Sequence, residues 1–169
     1  MKVITLTGPS HSGKTTTLKN LYTYLISIGA KDIVPPQKCP RSGGDDEYYV
    51  LYKGEKIAIV TIGDYAIETV FYIGINYGRG ADTLIIANSN KGYPYTIADR
   101  HSDIITHVDI KKNDIYEQGK VQEIMIHIET KSVNFRKHGR GETIQLFLLR
   151  TAERLEKMFS IFRARLKLI

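Results

Sequence analysis

The residues best equipped for chemistry in this chain lie in one short run, Gly8-Pro9-Ser10-His11-Ser12-Gly13-Lys14-Thr15. It fits the spacing G-x-x-x-x-G-K-[ST] at every fixed position. That spacing suits a loop whose backbone N–H groups wrap a chain of phosphates. Glycines at 8 and 13 allow a tight path and a close approach that a Cβ would block. Lys14 can reach the outer phosphates as a compact point charge. The Thr15 hydroxyl is a suitable ligand for Mg²⁺. A helix starting here would aim its positive end at the same anion. The binding residues expected on this basis are Gly8, Ser10, His11, Ser12, Gly13, Lys14, Thr15 and Thr16.

Such a loop works only between a strand and a helix, and the flanking sequence supplies both. Val3-Ile4-Thr5-Leu6-Thr7 is apolar and β-branched, as a buried strand requires. Leu18, Leu21, Leu25 and Ile28 recur at intervals of three, four and three, which is one stripe of an amphipathic helix. Gly29 follows as a stop signal.

With strand, loop and helix in this order, roughly the first half of the chain resembles the P-loop NTPase superfamily. A second segment supports the resemblance. Residues 57–62 form a continuous apolar run, as in a strand covered on both faces, and Gly63-Asp64 ends it. This looks like the Walker B element, whose carboxylate holds Mg²⁺ opposite the loop threonine. Lys14 and Asp64 are therefore the expected catalytic residues, and Thr15 and Asp64 the expected metal ligands. Asp64 would equally N-cap a helix over 64–77. Three departures narrow the reading. Tyr65 stands where many ATPases of the superfamily carry a water-activating Glu. Asp64 follows Gly63, so the D-x-x-G of switch GTPases is absent. Asn90-Lys91 resembles the start of the guanine-reading N-K-x-D, but Tyr93 replaces its Asp. The resemblance thus implies ATP in preference to GTP, with GTP not excluded.

The remaining elements read as follows. Pro35, Pro36 and Pro40 with Ser42-Gly43-Gly44 predict a long loop over 31–46. In the superfamily the equivalent stretch approaches the γ-phosphate or second substrate, which makes Arg41, Asp45 and Asp46 candidates there. Residues 47–53 and 56–62 predict a hairpin, and 82–87 a buried strand with Asn88, Ser89 and Asn90 as cleft-lining candidates. Arg79 lies on a loop and is either a phosphate contact or plain surface. A short helix is expected at 96–101, and strands at 104–110 and 121–130, with a short helix upstream of the last as the alternative. His107 and His127 on those strands read as structural. Basic residues Arg136 and Arg140 in 134–141 suit a lid over phosphates or a nucleic-acid backbone contact. A long helix is expected over 142–168, with an apolar stripe from Ile144 to Ile169. At 1.5 Å per residue it would span about 40 Å, enough to offer a second copy an interface.

Composition frames these expectations. At 169 residues the chain fits one domain, 1–169, with an ordinary 42% apolar and 25% charged make-up. No apolar run reaches membrane-spanning length. The opening strand leaves no room for a signal peptide, and lone Cys39 cannot pair internally, so the expected setting is the reducing cytoplasm. The net charge of +6 suits a phosphate site and keeps nucleic acid as a second candidate partner. The expected fold is α/β: a three-layer sandwich with a mainly parallel sheet of P-loop type, an antiparallel hairpin and the long C-terminal helix. The expected function is Mg²⁺-dependent phosphoryl transfer from ATP, leaning to a small kinase of unknown acceptor. The alternatives are a small ATPase, or a module that senses nucleotide state through a protein or nucleic acid partner.

Overall fold

A computed structural model describes residues 1–39, 44–62, 66–89, 105–110 and 117–129. The described elements are β1 (Lys2–Gly8), α1 (Lys14–Ser27), β2 (Lys31–Lys38), β3 (Asp46–Tyr52), β4 (Glu55–Val60), α2 (Ala66–Gly78), β5 (Thr83–Ser89), β6 (Ile105–Asp109) and α3 (Glu117–Glu129). The strands form one six-stranded sheet in the order β2-β3-β4-β5-β1-β6. Pairings β4–β5, β5–β1 and β1–β6 are parallel, and β2–β3 and β3–β4 are antiparallel. This is the expected α/β sheet with its antiparallel hairpin.

Side-chain alternation divides the sheet into two covered faces. Ile4, Leu6, Ile57, Ile59 and Ile85 pack with Leu18, Leu21 and Leu25 of α1 and with Val121, Ile124, Met125 and Ile128 of α3. Val3, Ala58, Val60, Leu84 and Ile86 pack on the other face with Tyr72 and Ile73 of α2. Both faces of β1, β4 and β5 are thus dry, which is why these strands are nearly continuous apolar runs. Ile28, the last member of the α1 stripe, sits at the C-cap and is exposed. Gly29 takes φ 101° directly after it, the conformation that ends the helix without a Cβ clash. The hairpin turns through Lys53 and Gly54, both at positive φ, between the paired Tyr52 and Glu55. That is the two-residue turn whose twist matches its strands.

Two expectations are corrected. Residues 31–38, read as loop, form β2. Proline excludes a central strand, but β2 is an edge strand, exposed along its whole length. Its ladder with β3 breaks register on either side of Val34, where Ile33 and Pro35-Pro36 leave the pairing. Of residues 121–130, read as a strand, 121–129 belong to α3, and 130 lies outside the described residues. The alternation of Ile124, Ile126 and Ile128 suggested period two. Val121, Ile124, Met125 and Ile128 are the buried set, at helical spacing, while Ile126 is 65% exposed. The two readings predict opposite mutational results. Ile124→Ala should cost about 2–5 kcal/mol, and Ile126→Ala within about 0.5 kcal/mol, in denaturant unfolding. Equal losses at both positions would restore the strand.

The expected elements at 96–101, 134–141 and 142–168 lie outside the described residues. Among the described residues no helix is long and apolar enough to cross a membrane.

Candidate functional site

β1 is flanked by β5 and β6 and ends at Gly8, and α1 starts at Lys14. The five residues between them make the turn. His11 takes φ 58° and Gly13 φ 90°, so left-handed residues alternate along the loop. That alternation curls successive N–H groups toward one centre, a concavity suited to an anion. Gly13 is the N-cap of α1 and contributes no side-chain cap, and the first turn carries no acid. The positive end of the helix is left for a ligand to neutralise.

Inside the loop, Lys14 is buried. Its ammonium donates to Gly8 O at 3.0 Å and Pro9 O at 2.8 Å. A cation held by the loop's own carbonyls is stored where an incoming phosphate would meet it. Ser12 is also buried, and its hydroxyl has no hydrogen-bond partner among the described residues. The fold closes tightly here: a Cβ on Gly8 would stand 2.8 Å from Ser12 Oγ and 2.5 Å from Ile110 O. Ser10, His11 and Thr16 are exposed around the rim, and Gly13 and Thr15 are half-buried.

Helix α1 lies across β1, β5 and β4. Its first turn therefore approaches the hairpin side of the sheet. There the Thr15 hydroxyl donates to Asp45 Oδ1 at 3.2 Å. The Thr61 hydroxyl, just past the end of β4, donates to the same oxygen at 2.9 Å and accepts from the Asp46 N–H at 2.8 Å. Backbone bonds fix the segment, from Cys39 N to Asp45 O and from Thr61 N to Asp46 O. One turn along α1, Lys19 donates to Gly44 O at 2.8 Å.

Asp46 engages two lysines. It pairs with Lys19 at 2.9 Å and with Lys38. Burial pushes its carboxyl up, but the hydrogen bonds and charges of Lys38 and Lys19 together outweigh burial and hold it below the ordinary carboxylate value. A depressed folded value contributes stability above the unfolded value and loses it as pH falls through the folded one. Wild type should therefore lose stability below about pH 4, by at most about tenfold in the folding equilibrium per pH unit from this group. Asp46→Asn should flatten that part of the curve, read by urea unfolding at pH 2.5–6.

Asp45 and Asp46, expected near the phosphates, are thus divided, with only Asp45 brought to the loop. The position of Thr61 was missed. Its sequence signal is a hydroxyl at the end of an apolar strand, a common pattern. Arg79 pairs with Glu47 at 2.7 Å. Cys39 is buried and its thiol is pushed up to about 11 by burial, against a Tyr72 hydrogen bond that lowers it. It stays a protonated core thiol at neutral pH. Asn88 is buried beside its register partner Thr7, and Ser89 is half-buried at the strand end. His127 falls on α3, not on a strand. Arg41, Asp64, Asn90, Arg136 and Arg140 lie outside the described residues.

Among the described residues no group of three or more His, Cys, Asp or Glu side chains could hold a metal alone. Magnesium needs less protein than that. It usually keeps waters and takes one or two carboxylates beside phosphate oxygens. The Thr15 hydroxyl and the Asp45 carboxylate are all-oxygen donors of that kind, so the residues present fit the ion. No family model, curated protein or solved structure matches this chain.

Proposed function

We propose that the chain binds a nucleoside triphosphate, ATP in preference to GTP, on the 8–15 loop and transfers its terminal phosphoryl group with Mg²⁺. The observation that carries this reading is the buried Lys14 ammonium, held by Gly8 O and Pro9 O within one residue of Thr15. Loop N–H groups and Lys14 would bind and orient the phosphates, and the start of α1 would add its partial positive charge. Thr15 and Asp64 would hold the metal, which when bound supplies positive charge against the charge spreading over the transferred group. Little covalent work then falls to the protein.

The acceptor is a hydroxyl or phosphate of a second substrate in our reading, which makes this a small kinase. The missing Glu after Asp64 favours that over hydrolysis. Purified protein titrated with ATP and GTP, with and without Mg²⁺, should bind ATP more tightly. Mg²⁺-dependent phosphoryl transfer should appear with an acceptor panel and be lost in Asp64→Ala. Phosphate release to water alone would make it an ATPase, and tight binding without turnover a nucleotide-sensing module. Binding of neither nucleotide would overturn the reading.

A further inference from the structure

We infer that Asp45 is a carboxylate ligand, direct or through one water, of the divalent cation that accompanies bound nucleotide, and that Thr61 positions it. The inference rests on the nucleotide reading and adds a residue that the Walker-type pattern does not nominate. That pattern points to Asp64, which lies outside the described residues. Asp45 arrives from the antiparallel side, just before β3, and reaches Thr15 directly.

Three consecutive acids, Asp45, Asp46 and Glu47, are sorted by the fold. Asp46 is engaged by Lys19 and Lys38, and Glu47 by Arg79. Asp45 gathers two hydroxyls on one oxygen, one from the 8–15 loop and its helix start and one from the end of β4. A threonine hydroxyl that gives its hydrogen to a carboxylate keeps its lone pairs for another ligand, the polarity that metal coordination requires. The distances agree. Two adjacent ligands of an octahedral Mg²⁺ at 2.0–2.1 Å lie about 3.0 Å apart, and Thr15 Oγ1 and Asp45 Oδ1 are 3.2 Å apart. A separate observation marks the same loop as built for a ligand: Ser12, only 8% exposed, carries a hydroxyl with no partner among the described residues. The Asp45 backbone is also fixed before any ligand arrives, because its carbonyl accepts from Cys39 N at 3.0 Å.

The test is ADP affinity of the full chain, measured by titration calorimetry in EDTA and in Mg²⁺. ADP avoids turnover. Wild type should gain roughly tenfold or more from Mg²⁺, which is about 1.4 kcal/mol or more. Asp45→Asn keeps an oxygen acceptor for both hydroxyls, so its unfolding curve should overlay wild type. It should lose most of the Mg²⁺ gain, yet bind ADP in EDTA as well as wild type or better, since a negative charge near the phosphates is gone. Asp45→Cys should recover the gain with Cd²⁺ and not with Mg²⁺, because thiolate prefers the softer ion. A full Mg²⁺ gain in Asp45→Asn overturns the inference and leaves nucleotide binding standing. Equal losses in EDTA and Mg²⁺, with no rescue by Cd²⁺, reduce Asp45 to a scaffold residue and overturn it as well. Wild type that binds no ADP takes down both readings together.

Discussion

Lys14→Ala should abolish useful nucleotide affinity while leaving the fold nearly intact. Truncating one member of a buried, hydrogen-bonded charge contact costs about 2–5 kcal/mol in binding, or roughly 30- to several-thousand-fold in Kd. The free protein should notice less. Lys14 is buried against two carbonyls, at 3.0 and 2.8 Å. Removing it forfeits those bonds but also removes the desolvation of an ammonium, two terms that oppose each other. We expect a Tm within about 3 °C of wild type, given 2–4 °C per kcal/mol for a chain of this size. Lys14→Arg should not rescue binding. The loop is already closed around Ser12 and Gly8, and a planar guanidinium needs more room than an ammonium. Calorimetric titration with ATP and Mg²⁺, beside a thermal melt, checks all three expectations. Wild-type affinity in Lys14→Ala would remove the loop from the site.

Gly8→Ala should be the most damaging single-methyl change in the described structure. The new Cβ would lie 2.5 Å from Ile110 O, 2.6 Å from Ile110 Cγ2 and 2.8 Å from Ser12 Oγ. A serine hydroxyl can rotate away, but a backbone carbonyl cannot. That carbonyl is held just past β6, where Ile110 N donates to Thr7 O at 2.8 Å. Relief therefore requires β1 and the chain leaving β6 to part at their C-terminal ends. Overpacking of this kind costs about 1–3 kcal/mol, occasionally more, and should lower Tm by about 2–12 °C. The same shift would open the loop that holds Lys14, so nucleotide affinity should fall with stability. Gly78→Ala is the matched control. It lies at the end of α2 with open space around it, and the change should be neutral or stabilising by up to about 1 kcal/mol. A Gly8→Ala protein as stable as wild type would mean that the β1–β6 approach is looser than the geometry here.

Local rules made much of this molecule legible. The loop between a buried strand and an amphipathic helix, the hairpin turning at Lys53-Gly54, and strands β4, β5 and β6 follow from periodicity and turn chemistry. They follow because each element's own residues state both its conformation and its buried face. Two local readings failed for the same reason. Pro35 and Pro36 argue against a strand only if both edges must be paired, and the position of β2 at the edge of the sheet removes that condition. Ile124, Ile126 and Ile128 fit period two and, with Val121 and Met125, also fit a helix; packing against α1 on one face decided between them.

The candidate site divides along the same line. The sequence by itself determined the 8–15 loop between strand and helix, with its lysine and threonine at the helix start, because that local conformation needs fixed residue types at fixed spacing. Only the tertiary structure decided which of three adjacent acids faces Thr15. Asp45, Asp46 and Glu47 have equivalent chemistry and neighbouring positions. Alternation at the start of β3 parts Asp46, which pairs with Lys19 of α1 and Lys38 of β2, from Glu47, which pairs with Arg79, while Asp45 stands just outside the strand and meets Thr15. That selection rests on contacts 8 to 32 residues apart in the chain, from Lys38 to Asp46 and from Arg79 to Glu47. Folding brings those residues together, and no local spacing encodes them.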